Sequence, residues 1–497
     1  MHPLDLALVA GYLLLITAVG IGLSRRVDSA GDYFLAGRSL SWWVIGLSII
    51  GTNVSAEGYL GAAGGAFNVG IAQANFEWIG AIPAMILAAF VFIPLYWRAG
   101  VYSIPEYLGR RYNQWVRLIA ALIASVFSIF AIGVALWAIA LTLETFIGLP
   151  KWLGISISAL VIGLYSIAGG LRAVAFTDAL QVCIMFCGGL VIVVIGLEQS
   201  GGLAGFAAQL TAAEPQHLDL FLTADHPNFP WPGVLLGLSI VLSPAYWCGS
   251  QVILQRTLGA RTEWDASASM LLAAFGKTLV PLLIVFPGLL AVVLGAEIAY
   301  PDMALPWVIK NVLPPGLSGL MFIAIIAALQ STVDSSLNST ALMLTRDVRG
   351  VLQADYNPDN DLRFGRWLTL GMLLLGVACA PITGQLEGIY VFLQTLLSLF
   401  QGPMLALLVC GAFATWPTPR AGLITLLVDT LCAGVLLLLG TNMLWVAFLT
   451  FLGALLLLRV TSSFTRGLTA EELGPLVYGA PAIDTAVTDA GQPGATT

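Results

Sequence analysis

WWVIGLSIIGTNVSAEGYLGAAGG, residues 42–65, is the stretch that decides the fold of this chain. It is apolar and long enough to cross a bilayer as a helix, which takes about 20 residues. Yet Gly51, Asn53, Ser55, Glu57 and Gly58 interrupt its middle, and a simple anchor has no use for them. Glycine weakens a helix and proline deletes a backbone donor. Inside a bilayer, non-helical backbone persists only where it lines a protein cavity. A second stretch has the same character: GLSIVLSPAYWCGSQVILQ, residues 237–255, is broken by Ser243, Pro244, Gly249 and Gln251. The plain alternative is a pair of kinks, but the Asn, Glu and Gln flanking the breaks would then be wasted.

The rest of the chain is membrane-like in composition. Of 497 residues, 59% are apolar and 9% charged, and mean hydropathy is +0.92; soluble domains are about 25% charged. Such a chain is not a soluble enzyme, a nucleic-acid binder or a disulfide scaffold. All six cysteines lie in apolar runs without CxxC spacing and read as small buried hydrophobes. Thirteen candidate spans lie near 5–24, 41–63, 76–96, 117–147, 152–170, 174–197, 232–254, 267–296, 317–345, 366–385, 388–415, 421–439 and 442–459. The interrupted spans are the second and the seventh. A separation of five is that of an inverted repeat of five plus five helices with its binding site at the midplane.

Basic residues set the orientation. The first span has Asp5 before it and Arg25 and Arg26 after it, so it is a retained helix with its N-terminus outside. Thirteen crossings then put the C-terminus inside. All seventeen arginines, Arg256 among them, fall on the cytoplasmic side, while Lys151 and Lys310 fall outside and Lys277 within a span. The external loop 198–231 has no Lys or Arg, and residues 467–497 read as a disordered cytoplasmic tail.

Few charges remain at membrane depth: Glu57, Glu77, Asp178, Lys277, Asp334 and Asp429. Each costs roughly 2.5–3.5 kcal/mol to insert, which makes each a functional candidate. For Glu77 and Lys277 the alternative is a purely structural ion pair, and Glu57 and Asp429 could serve as helix–helix hydrogen-bond partners. The ninth span repeats Ala324, Ala328, Ser331, Thr332, Ser335 and Ser339 at intervals of three and four. That gives one helix face of small and hydroxyl side chains, suited to close packing or to offering oxygens to a hard cation.

Six segments in order carry a family resemblance: GDYFLAGRSLSWWVIGLSIIGTNVSAEGYLG (31–61), ANFEW (74–78), YSIPEYLGRRYN (102–113), GGLRAVAFTDALQ (169–181), YWCGSQVILQRTLGA (246–260) and AALQSTVDSSLNSTALMLTRD (327–347). The chain resembles the sodium/solute symporters, most of all their sodium/sugar branch, over about residues 5–415. The resemblance implies an all-α polytopic membrane protein with the LeuT-type five-plus-five core. It would have an extra N-terminal helix (1–30), repeats at 31–197 and 232–415, and two extra C-terminal helices (416–466). It also implies a sodium site made by carbonyls of Gly51, Val54 and Ala328 with the hydroxyls of Ser331 and Thr332. The spacing of the last three on one helix face agrees. Asn53, Glu77, Lys277, Gln394, Tyr246 and Trp247 match sugar-binding positions, with Tyr246 as an inner lid that Gln251 supports. Carboxylate and amide oxygens accept from hydroxyls, the ammonium donates, and an aromatic face covers the apolar side of a sugar ring.

The chain also departs from the pattern. Gly58 stands where the sugar cotransporters have a polar His or Gln, and Ser243 where they often have Asn. Asp334 replaces a hydroxyl of a second cation site that would include Asp178, Ser331 and Ser335. Two close carboxylates hold a cation or share a proton; the alternative is Asp334 facing the inner vestibule or paired with an arginine. The expectation is a sodium-coupled importer of a neutral hydroxylated solute, a monosaccharide such as glucose or galactose, in the cell membrane. The alternatives are a cyclitol, organic acid, amino acid or vitamin. Sodium is the only metal expected, with no organic cofactor, nucleic acid or obligate protein partner. No HExxH, Walker or Ser/His/Asp set suggests an enzyme, and the tail is too short for the kinase of a transporter-like sensor.

Overall fold

A computed structural model describes residues 2–24, 27–55, 57–353, 356–383 and 389–478. Among these, helices joined by turns and loops make up the chain, and the one β pairing is an isolated parallel bridge between Leu40 and Ala260. This is the outcome that hydrocarbon imposes, because a helix satisfies its backbone groups within one segment. The helices that build the site are α1 (Pro3–Ser24), α2 (Trp42–Asn53), α3 (Ala62–Val69), α4 (Gln114–Ile147), α5 (Lys151–Gln199), α6 (Ser243–Gly249), α7 (Gln251–Leu258), α8 (Glu263–Ile284), α9 (Leu317–Leu342), α10 (Asp361–Thr383), α11 (Ile389–Phe413), α12 (Pro419–Leu438) and α13 (Met443–Ser462).

Eleven helices among the described residues are long and apolar enough to span a membrane, against thirteen expected runs. The difference lies in how the runs join. α5 fuses two of them into 49 residues, which at 1.5 Å per residue is over twice the thickness of a hydrocarbon core. It divides at Gly170, where φ is +56° and a Cβ would stand 2.4 Å from the Tyr33 carbonyl, so only glycine fits the bend. The interrupted second run splits differently: α2 is only 12 residues long. Its other half continues through α3 and the 3-10 turn Gly70–Phe76 into the third run.

α9 is the central post. Every residue from Met321 to Leu342 except Thr332 is buried, so the helix that was read as having one working face is enclosed on all sides. It packs most extensively against α5, then against α4 and α1. Asp5 of α1 caps its start, accepting from the amides of Gly316 (2.6 Å) and Gly319 (3.0 Å). A carboxylate there satisfies orphan donors and the helix dipole together. Lower on the same contact, Tyr12 donates to Gln330 (2.8 Å) and Gln181 donates to Tyr12 (3.0 Å). At the other end of the bundle, the buried Arg111 closes α11 by donating to the carbonyls of Gly411, Ala414 and Pro417.

The disordered tail expected from residue 467 needs correction in its first part. Leu473, Leu476 and Val477 are buried, Tyr107 donates to the Leu476 carbonyl (2.9 Å), and Tyr478 stacks on Phe413. Four apolar side chains in a polar segment gain more from burial against the bundle than the segment loses in entropy. Residues 479–497 lie outside the described part.

Candidate solute and cation sites

Both breaks border one cavity. α2 stops at Asn53, Val54 leaves helical geometry (φ −77°, ψ 68°), and helix resumes with a π-turn at Glu57–Gly61. The second break is a single extended residue, Ser250 (φ −76°, ψ 119°), between α6 and α7. Thr52, Asn53, Ser55 and Gly58 from the first and Ser243, Tyr246, Trp247 and Gln251 from the second face the same space. The cavity continues past Pro105, Val252 and Met343, at the end of the bundle where the arginines concentrate.

All six residues matched to solute recognition line this cavity. The Lys277 ammonium pairs with the Glu77 carboxylate, and Lys277 is only 2% exposed. Its charge also lies 5.7 Å from the centre of the Trp247 ring, a cation–π contact. Trp247 meets Tyr246 edge to face, with centroids 5.3 Å apart. Glu77 opens a π-turn, Glu77–Ala81; such turns recur at functional sites because they shift side chains off the regular helical face. Asn53 Oδ1 is buried with no hydrogen-bond partner among the described residues, leaving an acceptor on the cavity wall for a ligand hydroxyl. Gln394 completes the wall from α11, and Gln401 and Phe76, which sequence reasoning missed, border it too.

Gln251, on the same wall as Tyr246, also makes contacts that the sequence did not announce. Its amide accepts from the Ile104 backbone (2.9 Å) and donates to the Tyr102 carbonyl (3.3 Å). It thus ties the break at Ser250 to the loop before Ile104–Arg111, because a side chain at the start of α7 points back toward that loop.

The residues matched to sodium lie where α2 meets α9. Gly51, Val54, Ala328 and Ser331 are buried, and Thr332 is half-buried on the cavity wall. Thr52 and Ser331 approach to 3.4 Å between hydroxyl oxygens, and Thr332 donates to the Ala328 carbonyl (3.1 Å). Carbonyl and hydroxyl oxygens without nitrogen or sulfur fit a hard cation, and a helix end supplies carbonyls not engaged in the ladder.

The second cation set meets something the sequence reading had placed elsewhere. Arg256 is 1% exposed, inside the helix bundle and not on a solvent-exposed segment. Its Nε donates to Ser48 (2.6 Å) and its Nη2 to Thr52 (2.5 Å), Asp178 (3.1 Å) and Ser335. Asp178 is further held by Ser48 (2.6 Å) and Ser331 (2.5 Å). Asp334 accepts instead from Tyr165 (2.8 Å) and Ser335 (3.2 Å). The two carboxylates are therefore partnered separately, and the arginine goes to Asp178. The correction has a physical reason: α7 begins directly after the break at Ser250, so it turns inward and carries a residue that a linear count assigns to the surface.

Residues 33–429 match the sodium:solute symporter family. The chain belongs to this family. Its relatives include a sodium/glucose cotransporter of Vibrio parahaemolyticus, 33% identical over 85% of this chain and 82% of that protein. A sodium/myo-inositol cotransporter 2 of Mus musculus is 32% identical over 83% of this chain and 67% of its own length. Among solved structures, a Na+-coupled sialic acid symporter in a substrate-bound outward-open state superposes with a TM-score of 0.85 at 20% identity, covering 94% of this chain and 99% of that one. Mhp1, a nucleobase-cation-symport-1 transporter, superposes at 0.60 with 13% identity, over 88% of this chain and 96% of its own. The fold is thus of the LeuT type, a multi-pass membrane architecture.

In this member of the family, the loop after α5 packs against the segment that leads into Glu77. His217 bonds the Phe67 carbonyl (3.0 Å), Asn75 donates to the Leu220 carbonyl (2.5 Å), and Phe76 meets Phe229 edge to face. The sequence offered only one signal for this, the apolar residues of a loop that carries no basic ones.

Proposed function

We propose that this symporter carries a neutral hydroxylated solute, a monosaccharide such as glucose or galactose, into the cell with sodium by alternating access. The observation that carries the reading is the Glu77–Lys277 pair under Trp247 in the cavity between the two breaks. A pair offers both acceptor and donor without net charge, so it suits hydroxyls and disfavours a solute ion. The named relatives that transport glucose support it. A cyclitol is the second reading, favoured by the myo-inositol relatives; an organic acid, amino acid or vitamin fits the paired charges less well.

Sodium would bind to the carbonyls of Gly51, Val54 and Ala328 and the hydroxyls of Ser331 and Thr332. It would tie α2 to α9 and so shape the neighbouring solute site. Coupling then follows from sodium's differential affinity for the state in which these elements are together. One sodium crossing 100 mV inward supplies about 2.3 kcal/mol before any concentration gradient. The solute is moved unchanged, without an organic cofactor. Thirteen crossings with the N-terminus outside, and repeats at 31–197 and 232–415, remain our reading of the topology. In that orientation the cavity opens to the cytoplasm and Tyr246 lies on the exit side of the solute.

Uptake of labelled sugars and cyclitols into proteoliposomes, with and without an inward sodium gradient, is the test. Accumulation of a sugar that collapses without sodium is expected. Sodium-independent uptake, or preference for an anionic solute, would refute the assignment.

A further inference from the structure

A groove on the outside of the bundle lies apart from the solute cavity, between the first half of α5 and α10. The two helices come close at Gly163, where a Cβ would stand 2.8 Å from Leu373 Cδ2. Ala159 and Gly163 are buried and make the floor of the groove. Leu160, Leu164 and Leu374, which are 63%, 51% and 59% exposed, stand along its edges. One lining residue breaks the apolar run: Arg366, near the start of α10.

Arg366 is half-buried, and its Nε is buried with no hydrogen-bond partner among the described residues. The guanidinium lies 5.9 Å from the centre of the Tyr33 ring, a contact that engages its face and not its donors. Arg363, one turn earlier on α10, is exposed and shares that edge of the helix. Among the described residues neither arginine has a carboxylate within 4 Å, because the acid at the start of α10, Asp361, sits with Arg346 (3.2 Å) and Arg349 (3.7 Å). Nor is Arg366 needed to join the helices. Tyr33 does that, with its hydroxyl donating to the Ser166 carbonyl (3.4 Å) and sharing a hydrogen bond with Thr369 (3.0 Å).

We propose that this groove binds an anionic phospholipid, with its phosphate on Arg366 and Arg363 and an acyl chain lying between α5 and α10. The dimensions select the occupant. Arg366 and Val377 mark its two ends on α10, about three helical turns or roughly 16 Å apart, which is about half of a hydrocarbon core of about 30 Å. The groove therefore covers one leaflet, with its charge at headgroup level and its apolar wall at acyl-chain depth. A free anion would have no use for the wall, and a neutral lipid none for the arginines. Guanidinium meets phosphate through two parallel N–H···O bonds, so Arg366 offers more than a point charge. Basic pockets between transmembrane helices on the cytoplasmic side suit anionic headgroups, because that leaflet carries them. Only the orientation of the bundle is taken from the transport reading above.

Lipid retention by the purified full-length protein is the test. The delipidated transporter in detergent is mixed with phosphatidylglycerol and phosphatidylcholine of the same acyl chains, and native mass spectrometry counts the lipids that stay bound. Preferential retention of one phosphatidylglycerol per chain is expected, undisturbed by inorganic phosphate at the same concentration. Arg366→Gln should weaken that binding about tenfold and abolish the preference. Ala168 lines the groove; Ala168→Trp keeps every charge, fills the path of the acyl chain, and should weaken binding as much. Equal retention of the two lipids by the wild type, or a preference that survives in folded Arg366→Gln, would overturn the proposal. So would a loss confined to Arg366→Gln, which would reduce the site to a surface charge, or displacement of the lipid by inorganic phosphate. A dimer that Ala168→Trp dissociates would give the groove to a second copy of the chain and refute the lipid. Should Arg366→Gln not fold, Ala168→Trp decides: a lost preference supports the proposal and a retained one refutes it. Sodium and solute are absent from this measurement, so its failure leaves the symport reading standing. Failure of sodium-driven uptake, with the lipid preference present, would do the reverse.

Discussion

Thr332 and Lys277 separate the two ligands most cleanly, because each touches one proposed site. Thr332 offers a hydroxyl from the cavity wall and holds no charge partner. Thr332→Ala is expected to raise the sodium concentration for half-maximal uptake about tenfold, equivalent to about 1.4 kcal/mol, with solute affinity at saturating sodium little changed. A sodium titration of initial rates reads this directly; an unchanged midpoint would remove Thr332 from the site. Lys277→Ala leaves the Glu77 carboxylate without its cation in a nearly dry wall. Removing the ammonium takes a donor from the solute, so solute KM should rise at least about tenfold, equivalent to about 1.4 kcal/mol; the unpaired carboxylate costs stability separately, roughly 3–5 kcal/mol for a buried pair. Glu77→Gln combined with Lys277→Ala should lose less than the sum of the single changes, since the pair acts as a unit. A strictly additive double variant would show that the two charges work independently. Both of these residues were legible in the sequence, because a charge in an apolar span is conspicuous. Arg256 was not, because an arginine beyond the end of a span looks like any other orientation signal.

Breaks and bends define the working elements. α2 and α6 stop at the cavity because Val54 and Ser250 leave helical geometry, and the sequence announced both through Gly, Pro and polar residues inside apolar runs. The bend in α5 was announced less clearly. GlyGly at 169–170 stands at the expected boundary between two spans, and Gly170 does leave helical geometry (φ +56°, ψ −158°) between the two halves of α5; what the sequence did not show is that the halves follow each other without a loop. Gly170→Ala forces a side chain into positive φ and onto the Tyr33 carbonyl, at a cost of about 1–3 kcal/mol for the backbone alone. A lower thermal unfolding midpoint in detergent is the expected result, and a variant as stable as the wild type would mean the bend relaxes freely. α9 teaches a related lesson. Its hydroxyl stripe was readable from spacing, but enclosure on every side depends on α1, α4 and α5, which the stripe does not specify.

At the scale of the whole molecule, the outermost described segments at both ends are fastened to the bundle. Asp5 caps α9, and Leu476 to Tyr478 pack under Ile104–Arg111 and beside Phe413. Truncation after residue 466 is therefore expected to lower thermal stability and expression. Removal of residues 479–497 alone should leave both unchanged, as fluorescence-detected gel filtration after heating would show. Equal behaviour of the two truncations would mean that the docked segment contributes nothing. The fold as a whole was accessible early: the membrane, the helices and the LeuT-type architecture follow from apolar runs, two interrupted spans and six colinear motifs.

By itself the sequence determined the solvent of this protein, its helical class, its family and six of the polar and aromatic residues that border the cavity. Those properties follow from composition, local periodicity and spacing, all written along one dimension. Tertiary structure alone decided which buried charge meets which. Asp178 could have met Asp334 or an arginine, and the choice rests on α7 turning inward after Ser250 so that Arg256 reaches α2, α5 and α9 together. Electrostatics in a low-dielectric core depends on distances of a few ångströms between segments far apart in the chain, and those distances exist only once the helices have packed.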